Sequence, residues 1–323
     1  MKPIAVVAIG GNSLTRARER GTFEQQQTHA RETCRGIAAI LRQGHRVVLT
    51  HGNGPQVGEA LLRSELARDV VPTQHLDVCD AETEGSIGYL LQQTLDNTLQ
   101  DAGIPQKVVS IITQVIVDDN DPAFQRPDKP IGPFYRKEEA AQRQERLGWE
   151  MVEDSGRGWR RVVASPHPKR IYELEAIEAC LGAGFVVVAA GGGGIPVVRL
   201  AGQLKGSEAV IDKDRCSALL AIDLQAELLV FSTGVTHVCL HFGKENEKPL
   251  FHLSWEEAKT YLKQGEFAAG SMRPKVEAAL QFLESGGHRA IITAPEYMAA
   301  AVRGGAGTEI LPPIAVERPK VAV

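Results

Sequence analysis

The chain has 323 residues and a formal net charge of −4 at pH 7, from 36 basic and 40 acidic side chains. This balance provides no basic surface for nucleic acid or for an anionic membrane, so we expect neither as a partner. Hydrophobic residues make up 43% of the chain, which is typical of a folded enzyme, and no apolar run approaches the roughly 20 residues of a membrane span.

The cysteines and the N-terminus favour a cytoplasmic protein. The five cysteines lie far apart without a C-x-x-C pair, which predicts neither a zinc site nor a disulfide framework. The first apolar run ends at Gly10 and is too short for a signal peptide. Asp118–Asp121 lacks the glycine and the late glutamate of a calcium loop, so we expect a turn there and no metal-ligating residues.

The first predicted strand runs into a glycine-rich loop. Val6–Ile9 is apolar enough for a strand buried on both faces, and it is followed by Gly10, Gly11, Asn12 and Ser13. Glycines at the end of a strand let the backbone approach a ligand closely, and the polar side chains after them can form hydrogen bonds.

The second predicted strand, Arg46–Thr50, leads into the sequence HGNGPQVG at residues 51–58. The glycine spacing misses the dinucleotide-binding fingerprint, and Pro55 lacks the N–H that a phosphate cradle needs, so we do not expect a Rossmann dehydrogenase. His51 is a candidate general base, although a histidine in this position more often serves as a hydrogen-bonded part of the scaffold.

Helices are expected around these strands. The pattern predicts helices over Glu24–Gln43, Val57–Arg68 and Gly85–Asp101, and a third strand over Val108–Ile112. Alternation of this kind predicts an α/β fold whose parallel sheet is covered by helices on both faces.

Residues 124–165 form an insertion in which prolines, charges and aromatics replace the β-branched strands. We expect a rigid loop over Asp128–Phe134, a polar helix over Arg136–Leu147 and a β-hairpin over residues 149–163. Insertions of this size are often lids or interaction arms. Lys129 is a candidate phosphate ligand on the loop, with an ordinary surface lysine as the alternative.

Two later junctions suit an anionic ligand. Phe185–Ala190 predicts a buried strand that ends in Gly191–Gly194, and four glycines there favour close approach of a ligand to the backbone. Ala209–Asp214 predicts a strand-to-helix junction in which Lys213 lies between Asp212 and Asp214. Such a junction suits a charged ligand, or a solvated cap in which one aspartate is the cap residue.

The C-terminal part begins a second lobe near Ala226. Leu228–Phe231 predicts a strand, and Gly270–Lys275 precedes a helix of good helix formers. Lys275 then lies near a helix N-terminus, where the dipole already attracts anions.

Together these features predict phosphoryl transfer, because the glycine-rich strand ends meet at one edge of a parallel sheet and three lysines lie at loops or helix starts. The sequence contains no G-x-x-x-x-G-K-[ST] motif and no H-R-D or D-F-G set. We therefore expect a different kinase architecture.

The combined motifs resemble the carbamate kinases of the amino-acid kinase family. The stretches that carry this resemblance are Ala8–Asn12, His51–Gly58, Lys129–Phe134, Gly191–Val197, Ala209–Asp214 and Gly270–Lys275. The resemblance extends from the first strand to about Thr308. It implies a three-layer α/β/α sandwich, a homodimer, and Mg²⁺-dependent phosphoryl transfer between carbamoyl phosphate and ADP that yields ATP and carbamate.

The resemblance also implies a division of the chain. Residues 1–225 would form the lobe that binds the carbamate and the phosphoryl group, with a protruding subdomain at about 120–166, and residues 226–323 would bind the nucleotide. The residues implied to bind substrate are Gly10, Gly11, Asn12, Gly52, Asn53 and Gly193. Those implied to act on the phosphoryl group are Lys129, Asp212, Lys213 and Lys275, with Asp212 orienting Lys213 and Lys275. Those implied to bind the nucleotide are Thr233, Gly234, Val235, Met272 and Lys275.

One position separates this chain from many members of the family. Acetylglutamate kinases carry a lysine where this chain has Ala8, and the resemblance implies that Lys129 supplies the missing positive charge. Departures include Arg273 in place of leucine, Ser155 in place of alanine, and Glu84 in place of glutamine; Glu84 would weaken anion binding if it faced the site. The alternatives are a kinase of the same fold for another small carboxylate or carbamate-like acceptor, and a catalytically silent binder of nucleotide or carbamoyl phosphate.

Overall fold

The computed structural model of the chain describes residues 2–11, 14, 19, 21–154 and 156–313. The expectations for Asn12, Ser13 and Ser155 therefore lie outside the described residues. Within the described ranges, no helix has both the length and the apolar character needed to cross a membrane.

Helices and strands alternate along most of the described chain. The helices are α1 (Phe23–Arg42), α2 (Gly54–Leu66), α3 (Leu76–Asp101), α4 (Lys137–Leu147), α5 (Leu174–Gly182), α6 (Lys213–Asp223), α7 (Trp255–Gln264), α8 (Met272–Glu284) and α9 (Met298–Ala301). The strands are β1 (Ile4–Ile9), β2 (Arg46–His51), β3 (Val108–Ser110), β4 (Gln114–Val117), β5 (Lys129–Tyr135), β6 (Met151–Glu153), β7 (Trp159–Val163), β8 (Pro168–Ile171), β9 (Val186–Val188), β10 (Ile195–Leu200), β11 (Gln203–Gly206), β12 (Leu228–Ser232), β13 (Val238–Leu240), β14 (Lys248–Leu250), β15 (His252–Leu253), β16 (Arg289–Thr293) and β17 (Thr308–Ile310).

The central sheet of the described chain has the strand order β15-β17-β16-β12-β1-β2-β9-β3 and is parallel except between β16 and β17. Side chains of β1 alternate between its two faces: Val6 and Ala8 join the core beneath α5 to α8, while Val7 and Ile9 join the core beneath α1, α3 and α9. Helices therefore cover both faces, which confirms the predicted three-layer α/β/α sandwich.

Three smaller sheets accompany the central one in the described chain, and the smallest pairs β13 with β14. β11, β10, β4 and β8 form a four-stranded sheet that the sequence analysis did not anticipate. β5, β7 and β6 form an antiparallel sheet, which includes the predicted hairpin. This sheet and α4 enclose a separate small core of Tyr135, Ala140, Trp149 and Met151, so the insertion folds around its own hydrophobic contacts. We refer to it as the protruding subdomain.

Three predicted segments differ from the structure. α3 begins at Leu76 rather than Gly85, and in its first turns the buried Asp80 and Glu84 are bonded by Asn53 and Gly191 from distant parts of the chain. The expected loop over Asp128–Phe134 is the strand β5. β5 lies at the edge of its sheet, where prolines are tolerated because one row of N–H groups needs no partner. Residues 209–211 form an isolated bridge between Ala164 and Ala209 rather than a strand.

Candidate active site

The glycine-rich strand ends meet at one edge of the central sheet. β1, β2 and β9 are neighbours in the sheet, so the segments after Ile9, His51 and Val188 emerge side by side. Gly52 lies close to the first glycine-rich loop and to Lys213. A Cβ added to Gly52 would be 3.3 Å from the Gly11 nitrogen and 3.7 Å from Lys213 Cδ.

Lys213 and Lys275 share one carboxylate. Lys213 Nζ donates to one oxygen of Asp214 at 2.6 Å, and Lys275 Nζ donates to the other at 3.0 Å. The side chain of Asp214 is 6% exposed. Burial raises the pKa of this carboxyl, but the two ammonium groups outweigh it and hold the pKa below its usual range. Asp214 thus stays ionised and fixes two positive charges side by side.

Asp212 bonds a different lysine from the ones we expected. One of its oxygens accepts from Lys129 Nζ at 2.5 Å, and the other accepts from the backbone N–H groups of Asp214 and Arg215 as the N-cap of α6. Burial raises the pKa of Asp212, but the positive charge of Lys129 lowers it by more, so the pKa lies below its usual range. Asp214, rather than Asp212, bonds both Lys213 and Lys275, so the implied orientation of these lysines by Asp212 stays a prediction. In the structure, Asp212 connects the protruding subdomain to α6.

Two cavities adjoin this array of ion pairs. One has a volume of about 440 Å³ and lies between the protruding subdomain and the body, where it is lined by Lys129, Asp212 and Gly270. We call it the cleft. The other has a volume of about 230 Å³ and is lined by all four residues that the sequence analysis assigned to the nucleotide alone: Thr233, Gly234, Val235 and Met272. We call it the apolar pocket, since Val235, Phe242, Phe267 and Met272 line it.

The cleft and the apolar pocket are contiguous. Ala268 and Ser271 line both cavities. Lys275 Nζ also donates to the carbonyl oxygen of Ser271 at 3.1 Å, which holds its charge at the boundary between them. A ligand with an apolar ring and an anionic tail matches this arrangement, because the ring would fill the pocket while the tail meets the lysines.

The sequence analysis missed several charged residues of the site. Arg157, Arg160 and Arg215 line the cleft beside Lys129. Their guanidinium groups add positive charge, but they come from a hairpin and a helix whose proximity no spacing reveals. Asp214 was recognisable as the second aspartate of the D-K-D triplet, but no local signal distinguishes it from Asp212.

The four successive glycines serve packing. A Cβ added to Gly191 would lie 2.2 Å from His51 Nε2, and one added to Gly192 would lie 2.3 Å from Asn53 Nδ2. One added to Gly193 would lie 2.5 Å from the Ile211 carbonyl oxygen. The side chains that glycine omits would therefore meet protein atoms, and the expectation that a ligand approaches the backbone is not needed to explain these residues.

His51 and Asn53 belong to the interior of the site. Burial lowers the pKa of His51 to about 4, so the fully buried ring is neutral near pH 7 and is better suited to the scaffold than to a general base. The Asn53 amide is 2% exposed and donates to the side chains of Asp80 and Thr83, both at 2.9 Å. The implied substrate contact of Asn53 must therefore use atoms other than these N–H groups.

Glu84 does not point toward the cleft. Its two carboxylate oxygens accept from the backbone N–H groups of Gly191 at 2.8 Å and Thr113 at 3.0 Å. The side chain is buried behind the glycines, so its charge does not line either cavity. Glu84 was expected to weaken anion binding only if it faced the site, and its carboxylate faces neither cavity.

Comparisons with known proteins agree with this geometry. The Amino acid kinase family model matches residues 3–294. A carbamate kinase of Pyrococcus furiosus is 47% identical over 309 residues, which covers 95% of this chain and 98% of the relative. Carbamate kinase-like protein YahI of Escherichia coli is 48% identical over 96% of this chain and 99% of the relative.

A solved structure extends the similarity to three dimensions. Carbamate kinase from Giardia lamblia bound to citric acid superposes with a TM-score of 0.91 at 38% identity, covering 96% of this chain and 99% of the other. The same enzyme bound to AMP-PNP gives a TM-score of 0.88. This chain belongs to the amino acid kinase family and, within it, to the carbamate kinases.

Proposed function

We propose that this chain catalyses reversible phosphoryl transfer between carbamoyl phosphate and ADP, yielding ATP and carbamate, which breaks down to ammonia and carbon dioxide. The observation that carries the proposal is the pair of bonded sets Lys129–Asp212 and Lys213–Asp214–Lys275 at the cleft. Phosphoryl transfer requires positioning and neutralisation of the charge on the phosphoryl oxygens, and three fixed ammonium groups supply that charge.

The proposed binding mode follows the two cavities. The nucleotide base occupies the apolar pocket at Thr233, Gly234, Val235 and Met272, and its phosphates extend past Lys275 into the cleft. Carbamoyl phosphate lies at the sheet edge, where Gly10, Gly11, Asn12, Gly52, Asn53 and Gly193 are proposed to hold it. In this arrangement the terminal phosphate of ADP faces the phosphorus of carbamoyl phosphate between Lys129 and Lys213.

We propose that Mg²⁺ enters with the nucleotide. Of the carboxylates at this site, Asp212 and Asp214 are bonded by lysines and Asp154 by arginines, while Asp128 lines the cleft at an exposed position. We therefore expect the metal to be carried mainly by phosphate oxygens. Bound in this way, Mg²⁺ would neutralise part of the phosphate charge. Among the described residues, His75, Asp77 and Glu208 have metal-ligand spacing, but they line neither cavity.

The remaining expectations form part of the same proposal. Residues 1–225 serve as the carbamate and phosphoryl lobe, residues 226–323 as the nucleotide lobe, and the enzyme is a cytoplasmic homodimer. The central sheet supports this division, because β1, β2, β3 and β9 come from the first segment and β12, β15, β16 and β17 from the second.

The test is ATP formation by the purified protein from carbamoyl phosphate and MgADP, corrected for spontaneous decay of carbamoyl phosphate. We expect rapid ATP formation that Lys129→Ala reduces strongly. If ADP binds but no ATP forms, the acceptor is another small carboxylate or carbamate-like compound, or the protein is a silent binder. A panel of such acceptors with MgATP then separates those two outcomes.

A further inference from the structure

The segment Ala190–Gly194, here called the glycine turn, lies between two parts of the site. Its side toward Gly192 packs on Asn53, and its side toward Gly193 packs on Ile211, the residue before Asp212. The backbone of the turn is unusual, since Ala190 has φ +51 and Gly192 to Gly194 have φ between +70 and +105. Such a run of left-handed residues persists only where surrounding contacts fix it.

Two side chains fix the start of the glycine turn. Glu84 accepts from the N–H of Gly191 with one oxygen and from the N–H of Thr113 with the other. Thr113 Oγ1 accepts from the N–H of Ala190 at 2.9 Å and donates to the carbonyl of Ile111 at 2.7 Å. Glu84 therefore connects Gly191 to Thr113, and the side chain of Thr113 in turn bonds Ala190, the residue before Gly191.

We propose that Glu84 is a positioning residue for the reaction: its ionised carboxylate accepts from the N–H groups of Gly191 and Thr113 together, and so sets the position of the glycine turn, and through it of the Asn53 and Asp212 segments, in a way that the neutral acid cannot. This inference rests on the proposed function where it is tested by enzyme kinetics. It rests on the observed hydrogen bonds where it is tested by amide hydrogen exchange.

The strength of these contacts depends on how many hydrogen-bond acceptors the side chain at position 84 offers. An ionised carboxylate offers two oxygens that both accept, which matches two N–H groups aimed at it. A protonated carboxyl converts one oxygen into a donor, and a glutamine replaces one oxygen with an NH₂ group. Either change sets a donor against one N–H group and weakens one of the two bonds.

The group titrates in a range where this difference matters. Burial raises the pKa of Glu84 to about 8, although the N–H groups of Thr113 and Gly191 oppose the shift. Within the described ranges, Glu84 forms no ion pair with a lysine or arginine, unlike Asp212 and Asp214. A rise in pH through about 8 therefore converts the neutral acid into the form that accepts both bonds.

Neighbouring titratable groups do not provide the same change. His51 on β2 is neutral above its pKa of about 4. Burial raises the pKa of Asp80, on α3, well above its usual value, and burial raises the pKa of Cys216, on α6. Glu173, before α5, raises the pKa of Glu84 by its negative charge while its own oxygens bond Gln114. Of these groups, Glu84 is the one whose carboxylate oxygens bond the backbone N–H groups of Gly191 and Thr113.

The experiment compares the unmodified protein with Glu84→Gln between pH 6 and pH 9.5. We expect the KM for carbamoyl phosphate to be similar in both at pH 6 and about tenfold higher in Glu84→Gln at pH 9, since one bond to a charged group is lost. The KM for ADP should remain unchanged, because the apolar pocket does not contact the glycine turn. Titration of the substrate affects both proteins equally and cancels in their ratio.

Two further variants provide controls. Glu82→Gln changes an exposed glutamate on the same helix and should leave the ratio flat. Thr113→Val removes the acceptor of Ala190 N–H but keeps Glu84, so its KM for carbamoyl phosphate should rise while the response to pH persists. This variant separates the titration of Glu84 from general loosening of the turn.

Amide hydrogen exchange at residues 186–194 supplies a readout that is independent of activity. After correction for the intrinsic rate, protection in the unmodified protein should decrease as pH rises through about 8, because opening the turn hydrates the buried carboxylate, and Glu84→Gln should abolish the decrease. If the unmodified protein forms no ATP, the proposed function fails and exchange alone decides the role of Glu84. Equal pH profiles in the two proteins, or protection independent of pH, would overturn the inference.

Discussion

The cleft and the glycine turn both bury carboxylates, but they stabilise different protonation states. In the cleft, Asp212 and Asp214 each accept from at least one lysine, and the pKa of each lies below its usual range despite burial. At the glycine turn, Glu84 accepts from the backbone N–H groups of Gly191 and Thr113, and the Thr113 side chain also favours its ionised form, yet burial raises its pKa to about 8. These hydrogen bonds do not offset the loss of hydration, whereas an adjacent ammonium does.

This difference matches what each region has to do. The cleft must keep its lysines charged and fixed, since they meet the phosphoryl oxygens. The glycine turn only has to hold backbone in place, so it tolerates a carboxyl that titrates. Substitutions in the two regions should therefore differ: those at the lysine and aspartate cluster should reduce turnover strongly, and those at the glycine turn should mainly change stability.

The largest effect is expected from Lys275→Ala. This change removes one of the two cations on Asp214 and the charge at the boundary of the cavities, so kcat should fall about 10²–10³-fold. Lys263→Ala, at an exposed site on α7, is the matched control. Steady-state ATP formation together with circular dichroism measures both; unchanged turnover in a folded Lys275→Ala variant would remove Lys275 from the mechanism.

The two aspartates of the cleft should differ in effect. Asp214→Asn releases two lysines at once and should lower kcat about 100-fold, whereas Asp212→Asn keeps the N-cap of α6 and frees only Lys129, for a loss of about tenfold. The ratio of the two kcat values is the measurement. A larger loss in Asp212→Asn would restore the original assignment of Asp212 as the residue that orients the lysines.

At the glycine turn, Gly191→Ala should destabilise the fold. Its new methyl group would lie 2.2 Å from His51 Nε2, and forcing it into this space should cost about 1–3 kcal/mol. Gly182→Ala, where a Cβ has no atom within 4 Å, serves as the comparison and should be neutral or stabilising. Urea unfolding of both variants checks this; equal stability would mean that the turn is loosely packed.

The smallest effect concerns stability and pH. Because the pKa of Glu84 in the folded protein, about 8, lies above its ordinary value of 4.5, folding favours the protonated form. This contribution is complete below pH 4.5 and is lost as pH rises through 8. Relative to Glu84→Gln, the unmodified protein should therefore lose about 1 kcal/mol of unfolding free energy between pH 5 and pH 6.

Thermal and urea unfolding across this range measures the difference, and Glu82→Gln corrects for the loss of one carboxylate from α3. A difference that stays constant with pH would show that Glu84 does not titrate there. In that case the contrast between the cleft and the glycine turn would not hold.

Much of the fold was predictable because it depends on local patterns. The apolar strands and the glycines after them predicted the α/β class and the sheet edge at which the site lies, and the hairpin in residues 149–163 followed from the turn residues 154–158 between its strands. Segments stabilised by distant partners were not predictable. The first turns of α3, before Gly85, were not predicted, and there the buried Asp80 accepts from Asn53 and Glu84 from Gly191.

The sequence by itself determined the class of fold, the family, and the residue types that handle a phosphoryl group, since motifs and alternation are local. Only the tertiary structure decided the pairing. It joined Asp214 to two lysines, gave Asp212 to Lys129 of the protruding subdomain, and turned Glu84 toward the glycine turn. The physical reason is that the energy of a buried charge depends on the partner within a few ångströms, and residues 83 or 107 positions apart supply that partner.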